Sequence, residues 1–223
     1  MRTATWVLGY HGCDRDVGEA VLTGKTTLRP SENDWDWLGT GIYFSENSAR
    51  RAQEWAAYAA ANPQFFPTQV KKPFVVGAVI DLGNCLDLLE AESIRLVKET
   101  HDELQHLLTT LDTPMPVNAG AHPDRVIRRL DCAVINYLHN TRSEKGQAAF
   151  DSVRAAFMEG EPLYPEAGFR ARTHIQLCVR RETQIIGYFR VRDAAVAPNL
   201  GTSKIPSLPR RAVPKKSVRR KLD

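Results

Sequence analysis

The residues whose types and spacing could do chemistry gather around Tyr43. The segment from Leu38 to Phe44 has the sequence Leu-Gly-Thr-Gly-Ile-Tyr-Phe, so two glycines flank one residue and a short apolar run ends in an aromatic pair. Glycines at this spacing let a backbone approach another group closely. A tyrosine beside them offers a face on which a planar ring can stack. Taken alone, the segment predicts a short strand with a close backbone approach, in which Tyr43 would be a core aromatic.

A second candidate is the run Tyr10-His11-Gly12, which follows a short apolar strand directly. A glycine leaves its backbone N–H and C=O open to approach, and a histidine offers ring nitrogens that can donate or accept a hydrogen bond. A lone histidine after a strand is more often structural than catalytic. The Gly-Ile-Tyr-Phe segment downstream reverses that interpretation and favours a shared site.

The elements that must position these residues follow from hydrophobic periodicity and from cap and turn signals. Strands are predicted over 6–10, 41–44, 74–82, 174–179 and 184–191, and helices over 16–22, 48–61, 91–111 and 124–138. Ser48 is the expected N-cap of the second helix. Residues 151–158 fit a strand or a helix equally well. This order predicts a mixed α+β fold instead of a doubly wound parallel sheet.

Composition limits the class of protein. The chain has 223 residues, of which 43% are hydrophobic and 25% are charged, as expected for one globular domain. No apolar run approaches the roughly 18 residues of a membrane helix, and the N-terminus lacks a signal-peptide pattern. We therefore expect a cytoplasmic protein without a membrane partner. The four cysteines form no CxxC pair, so we expect buried thiols and no metal site.

The basic character of the chain is local. Residues 203–223 contain eight Lys or Arg and one acid, a net charge of +7, so the rest carries about −3. Such a segment is usually flexible and solvated, but it could bind a phosphate backbone without reading the sequence. It contains no aromatic residue for base stacking.

Three pieces together resemble ADP-ribosyltransferases of the diphtheria-toxin and poly(ADP-ribose)-polymerase branch. They are Tyr10-His11-Gly12, the segment Gly39-Thr40-Gly41-Ile42-Tyr43-Phe44 with the helix behind it, and the late strand 173–179. The middle piece is the most specific. The resemblance implies a split mixed β-sheet core with surrounding helices, in a catalytic domain over 1–200 with a helical insertion near 91–138. A disordered basic tail would occupy 201–223.

The resemblance also implies a donor substrate, NAD, and no metal. It places His11 near the ribose hydroxyls, the Gly12 backbone on the nicotinamide amide, and Tyr43 against the nicotinamide ring. The further candidate contacts to NAD are Trp55 as a second stacking aromatic, Ser31 on the adenosine half, Tyr10 and Gly41. Trp35 and Trp37 could line the mouth of the pocket or staple the loop that precedes Tyr43, and the staple is the favoured interpretation.

The third signature residue of that family is usually a glutamate, and here the best-placed residue is Gln176. A glutamine can hold a ribose hydroxyl, but it adds no negative charge beside a developing cation. Either the reaction proceeds with less electrostatic help, or an acid of the preceding loop supplies it: Glu159, Glu161 or Glu166. His174 should share a face with Gln176. Glu166, Arg172 and His174 form the predicted acceptor loop.

The function expected from these features is mono-ADP-ribosyl transfer from NAD by a bacterial toxin or phage-defence effector. The basic tail and nearby arginines (Arg170, Arg172, Arg180 and Arg181) favour a nucleic acid acceptor, RNA or DNA, over a protein. An antitoxin or another regulator is a further candidate partner. Three alternatives stay open: an RNA 2′-phosphotransferase, an NAD hydrolase, and a non-catalytic module that binds NAD or nucleic acid.

Overall fold

The computed structural model describes residues 6–66, 68–120 and 126–192. Within these ranges four α-helices form: α1 Arg15–Leu22, α2 Ala49–Ala61, α3 Ala91–Thr110 and α4 Arg129–Glu144. The same ranges contain nine strands: β1 Trp6–Asp14, β2 Ile42–Glu46, β3 Pro73–Asp81, β4 Cys85–Asp87, β5 Asn118–Ala119, β6 Ile127–Arg128, β7 Ser152–Phe157, β8 His174–Val179 and β9 Ile185–Arg190.

Seven of the strands form one mixed sheet in the order β4-β7-β8-β2-β1-β3-β9, and β5 pairs with β6 apart from it. The pair β4–β7 is parallel, whereas the other neighbours in the large sheet are antiparallel. The predicted mixed α+β class is therefore confirmed. The sheet brings the first strand of the chain next to the second and places the late strand β8 on the far side of β2.

Each face of the sheet is covered by different helices, because side chains alternate between the faces along a strand. On one face, α1 packs over β1 and β3, with a core that includes Cys13, Val21, Phe44 and Val76. On the opposite face, α2 covers β1 and β3, and α4 contributes to a core of Leu38, Leu86, Ile135, Leu138, Val153, Ala155 and Cys178. Tyr43 packs against this second core, which sets it on the face opposite to Phe44.

The two helices nearest to β1 and β2 begin at side-chain caps. Asp14 ends β1 and accepts from the backbone N–H of Asp16, and its second oxygen accepts from Lys71 and Lys72 at 2.7 and 2.9 Å. Ser48 accepts from the N–H of Arg51 at 3.4 Å and begins α2, as predicted. These caps fix where β1 and β2 end and how each helix turns back over the sheet.

The other predicted elements agree with the structure except at several boundaries. Strand β1 continues through His11 and Gly12 to Asp14, whereas the prediction ended at residue 10. Helix α4 begins at Arg129 instead of residue 124, after the two-residue strand β6, and ends at Glu144. Residues 152–157 form a strand, since the neighbouring β4 and β8 supply pairing partners on both sides.

Other predictions meet the structure only in part. The predicted tail, 201–223, lies outside the described residues. Cys13, Cys132 and Cys178 are buried, as expected, and Cys85 is half-buried. Among the described helices, none is both long and apolar enough to cross a lipid bilayer.

Candidate functional site

Strands β1 and β2 separate at the point where the sequence places His11 and Gly12. Strand β1 pairs with β3 along its whole length, from Trp6 opposite Asp81 to Asp14 opposite Pro73. It pairs with β2 at two positions only, where Gly9 lies opposite Glu46 and Tyr10 lies opposite Ser45. Continuing that register would set Gly12 opposite Tyr43. The pairing between β1 and β2 therefore ends before these two residues, and we call this gap in the pairing the split.

The backbone of Gly12 faces this split. The carbonyl of Leu8 accepts from the N–H of Asn47 at 2.8 Å, so the Leu8 backbone points toward β2. Backbone groups in antiparallel strands alternate between the two neighbours, so Gly12 also points toward β2. Arg15 obeys the same alternation, because its N–H donates toward β3, to Lys72, at 2.8 Å. The N–H and C=O of Gly12 thus point toward β2, at a position where the two strands are no longer paired.

His11 spans the same split. Its Nδ1 lies 2.8 Å from the backbone oxygen of Tyr43. A carbonyl only accepts, so Nδ1 carries the hydrogen and Nε2 remains an acceptor. Burial of the ring lowers the pKa of His11, although the bond to the Tyr43 carbonyl works in the opposite direction. The imidazole is therefore neutral near pH 7, with a lone pair on Nε2 that suits a hydroxyl donor.

The hydroxyl of Tyr43 is used inside the protein. It donates to the carbonyl of Gly39 at 2.7 Å and accepts from the N–H of Leu38 at 3.0 Å. Burial raises the pKa of Tyr43 well above its ordinary value, and the nearby Cys178 adds to the shift. The phenol is therefore neutral and fixed. Only the ring face and the backbone of Tyr43 are available to a ligand.

Helix α2 closes the other side of Gly12. A methyl group on Gly12 would collide with the backbone oxygen of Ala52 and lie 3.1 Å from the ring of Trp55. The indole of Trp55 is 47% exposed and contacts Phe66 edge to face, with 5.6 Å between ring centroids. The ring of a half-exposed tryptophan therefore lies against the side of Gly12 that faces α2.

Gln176 lies on the same face as Tyr43. Strand register places it opposite Ser45 of β2, the second residue after Tyr43. Its Oε1 accepts from the Nε1–H of Trp37 at 2.8 Å, and its amide nitrogen lies 2.9 Å from Nε2 of His174. The predicted shared face of His174 and Gln176 is confirmed by this contact. The amide is thus held between an indole and an imidazole.

Charged groups surround His174 but balance one another. Glu159 bridges two guanidinium groups, with 3.2 Å to Arg51 and 3.0 Å to Arg172, and Arg51 also contacts Glu54. The pKa of His174 is lowered to about 4, mainly by burial and in smaller part by the charges of Arg51 and Arg172, while a backbone hydrogen bond works in the opposite direction. His174 is therefore neutral near pH 7. Among the acids of the preceding loop, Glu159 pairs with two arginines beside His174.

Several other predicted contacts have local roles in the structure. Tyr10 packs against Ala49, Ala52 and Val75, beneath α2. Ser31 and Gly41 bond to each other through their backbones, at 2.8 and 3.1 Å, and a methyl group on Gly41 would lie 2.5 Å from the sulfur of Cys178. Gly41 is thus explained by its close packing against β8.

The predicted acceptor loop divides into two parts. Arg172 and His174 belong to the network beside Gln176. Glu166 is exposed near the tip of the loop, in a left-handed conformation with φ of 64°.

That loop, 159–172, is an ordered protrusion that we call the hairpin loop. Four backbone hydrogen bonds cross it or turn its tip: Leu163 to Phe169, Ala167 to Tyr164, Ala171 to Glu161 and Arg172 to Glu159, all between 2.8 and 3.1 Å. Three large apolar side chains on it are more than half exposed: Leu163, Tyr164 and Phe169. The Glu159–Arg51 ion pair attaches the base of this loop to α2, and the Glu159–Arg172 ion pair joins its two ends.

Sequence analysis missed the part played by Trp37 and Arg51. Trp37 was expected to staple its loop, yet its Nε1–H bonds to a side chain 139 positions later. Arg51 falls within the predicted helix 48–61 and had no predicted role of its own, whereas its guanidinium connects α2 to the hairpin loop. No spacing rule links such distant positions. The one available signal was the presence of Trp37 in the loop that leads into Tyr43.

No group of three or more His, Cys, Asp or Glu side chains in the described ranges is arranged to hold a metal ion. No protein-family model matches the chain, and no solved structure matches it. A relative from Methanocaldococcus jannaschii, named Uncharacterized protein MJ0359, is 28% identical over 196 residues, which cover 79% of this chain and 83% of the relative. The function is therefore inferred from the geometry of the site.

Proposed function

We propose that the chain is an NAD-dependent mono-ADP-ribosyltransferase whose site lies in the split between β1 and β2. The observation that carries this proposal is the backbone of Gly12, which faces the split beside the His11–Tyr43 bond. One N–H and one C=O on a single edge match the donor and acceptor pattern of a primary amide. The carboxamide of nicotinamide is such a group.

The neighbouring residues fit the remaining parts of NAD. Tyr43 and Trp55 supply aromatic surfaces for the nicotinamide ring. His11, neutral and with Nε2 as an acceptor, suits a ribose hydroxyl. Gln176 stands on the Tyr43 face, where its amide can contact hydroxyls of the nicotinamide ribose.

The proposed reaction breaks the N-glycosidic bond of NAD, with its electron pair leaving on the nicotinamide nitrogen, and forms a bond from ribose C1 to the acceptor. Positive charge develops on the ribose, yet the residues beside it add little negative charge. Gln176 is neutral, and the carboxylate of Glu159 is engaged by Arg51 and Arg172. Catalysis would then depend mainly on positioning and on a good leaving group. This balance favours a single transfer over chain elongation.

The contacts of four arginines bear on which molecule accepts the ADP-ribose. Each arginine that suggested nucleic acid donates within the chain: Arg170 to the Gly160 carbonyl at 3.3 Å, Arg172 to Glu159 at 3.0 Å, Arg180 to the Thr40 carbonyl at 2.8 Å and Arg181 to Asp151 at 3.2 Å. The nucleic acid hypothesis therefore rests on the basic tail. The apolar side chains on the hairpin loop support a protein acceptor as the second candidate, because exposed apolar clusters favour protein contacts.

The test of the core proposal is release of free nicotinamide from NAD by the full chain. We expect His11→Ala and Tyr43→Ala to reduce release by at least about tenfold, as loss of a charge-neutral hydrogen bond or a stacking face would. His106→Ala, at an exposed site on α3, is the matched control. Absence of NAD binding in the native chain, measured by calorimetry, would refute the proposal. If the native chain binds NAD but releases no nicotinamide, the result would favour the non-catalytic module.

A second experiment separates the acceptors. Labelled NAD is incubated with the full chain and RNA, DNA or cell protein, and with a variant that lacks residues 203–223. Label on nucleic acid that disappears with the tail would support a nucleic acid acceptor. Label in protein that disappears in Leu163→Ser/Phe169→Ser would support a protein acceptor. Free ADP-ribose in every reaction would instead favour the hydrolase.

A further inference from the structure

Gln176 can be oriented in only one way by its neighbours. The indole nitrogen of Trp37 is a donor without acceptor capacity, so the atom of Gln176 that faces it must be the oxygen. The amide nitrogen then faces Nε2 of His174, which must accept. An amide flipped by 180° would set two N–H donors against each other at Trp37, which costs the hydrogen bond and leaves a buried donor unsatisfied.

The tautomer of His174 completes this arrangement. Its Nδ1 lies 2.8 Å from the carbonyl of Arg172, and a carbonyl accepts only, so Nδ1 carries the hydrogen. Nε2 therefore holds the lone pair that Gln176 needs. Every donor from Trp37 to Arg172 meets an acceptor. Gln176 keeps one N–H and one oxygen lone pair for another partner, and its side chain is only partly buried.

We propose that Trp37 and His174 are positioning residues that hold Gln176 as a neutral donor–acceptor pair for two adjacent hydroxyls of a ribose. This inference rests on the proposed NAD site for the identity of the ribose, but the network itself does not depend on it. The free N–H donates to one hydroxyl oxygen and the free lone pair accepts from the other hydroxyl. Trp37 and His174 act through Gln176 and need not touch the sugar.

The network is incompatible with a carboxylate at position 176 unless His174 gains a proton. A glutamate would accept from Trp37 without difficulty, but its other oxygen would face the lone pair of His174. Only an imidazolium donates from both nitrogens. The guanidinium groups of Arg51 and Arg172 oppose that charge, and the carboxylate of Glu159 between them offsets part of their effect. From β7 the ring of Phe157 packs on the imidazole, with the guanidinium of Arg128 over that ring.

The first test measures His174 in the ligand-free full chain. Nitrogen-15 and proton spectra of the imidazole are assigned by their loss in His174→Asn. We expect the Nδ1–H tautomer in the native chain at pH 7, and a titration midpoint near the pKa of about 4 given above. In Gln176→Glu the midpoint should rise to roughly pH 6 or higher, as a carboxylate partner implies. Circular dichroism verifies that each variant folds.

An Nε2–H tautomer or an imidazolium in the native chain at pH 7 would overturn the proposal. An unchanged midpoint in Gln176→Glu would do the same. Because these spectra need no NAD, they decide the network even if the proposed function fails.

The second test separates positioning of the amide from general structural damage. Trp37→Phe keeps an aromatic ring but removes the donor to Gln176, and Trp35→Phe is the matched control in the same loop. We expect Trp37→Phe to raise the KM for NAD about tenfold, because a tenfold change corresponds to the net free energy of about one hydrogen bond. Its kcat should stay within about twofold, since a neutral amide contacts the hydroxyls equally before and during the reaction. Equal KM values in the two variants would overturn the role of Trp37.

Discussion

His139 should make the stability of the protein fall as the pH falls. This residue lies on α4 with 8% of its surface exposed, and its Nε2 makes no hydrogen bond within the described residues. The pKa of His139 is lowered to about 3, mainly by burial and in smaller part by the charges of Arg180 and Arg142. In the unfolded chain a histidine titrates near 6.5. Between these values only the unfolded chain takes up the proton.

The sign and size of the effect follow from proton linkage. At high pH a histidine with a depressed pKa is neutral in both the folded and the unfolded chain, so it favours neither. As the pH drops below about 6.5 it favours the unfolded chain, because only that chain binds the proton. From pH 7.5 to pH 5, His139 alone should lower the free energy of unfolding by about 2 kcal/mol, at 1.36 kcal/mol per pKa unit. His174 should add a loss of the same sign, because its pKa is lowered to about 4. Such losses are large against a typical total of about 5–15 kcal/mol.

The assay is urea denaturation at pH 7.5 and pH 5 of the native chain and of His139→Leu. We expect the variant to lose about 2 kcal/mol less than the native chain between the two pH values. At pH 7.5 it should be at least as stable, because an unsatisfied buried nitrogen has been removed. His106→Leu, on the exposed surface of α3, controls for the loss of a histidine. The same pH dependence in His139→Leu and in the native chain would refute a neutral His139.

Two further predictions concern the segment around Tyr43. Tyr43→Phe should lower the free energy of unfolding by about 1–2 kcal/mol, because Gly39 and Leu38 lose their hydroxyl partner, while NAD binding changes little. Urea denaturation and calorimetry check this, and unchanged stability would contradict it. Gly39→Ala should cost more than Gly24→Ala, since both glycines have φ above 70° but only at Gly39 would the methyl meet a neighbour, Asn136 Oδ1 at 2.6 Å. Gly24→Ala should cost about 1 kcal/mol, and equal losses in the two variants would contradict the steric part.

Much of the fold was predictable because it depends on local pattern. The 3.6-residue periodicity located α3 and the β-branched run located β3, in each case within one residue of the observed ends. The cap at Ser48 located the start of α2. Residues 152–157 resisted assignment because their periodicity suits either state. Only pairing with β4 and β8, which are distant in sequence, selects a strand.

The candidate site was likewise predictable only in part. Sequence pattern alone singled out His11, Gly12 and Tyr43, since their neighbours carry a specific motif. It could not reveal that β1 and β2 separate beyond Tyr10, because the separation is a property of pairing between strands. Nor could it show that the hydroxyl of Tyr43 is bound by its own loop. The expected contacts of Ser31 and Gly41 have a local explanation in the bonds between them.

What the amino-acid sequence by itself determined is the mixed α+β class of the fold and the longer helices and strands, and it predicts His11, Gly12 and Tyr43 as site residues. Tertiary structure alone decided the environment of Gln176. Trp37 and His174 approach it from a distant loop and from its own strand, and hydrogen-bond capacity then allows one orientation of the amide. Short-range pattern specifies where elements begin and end. Long-range packing specifies which polar groups meet, and hence which protonation state each must hold.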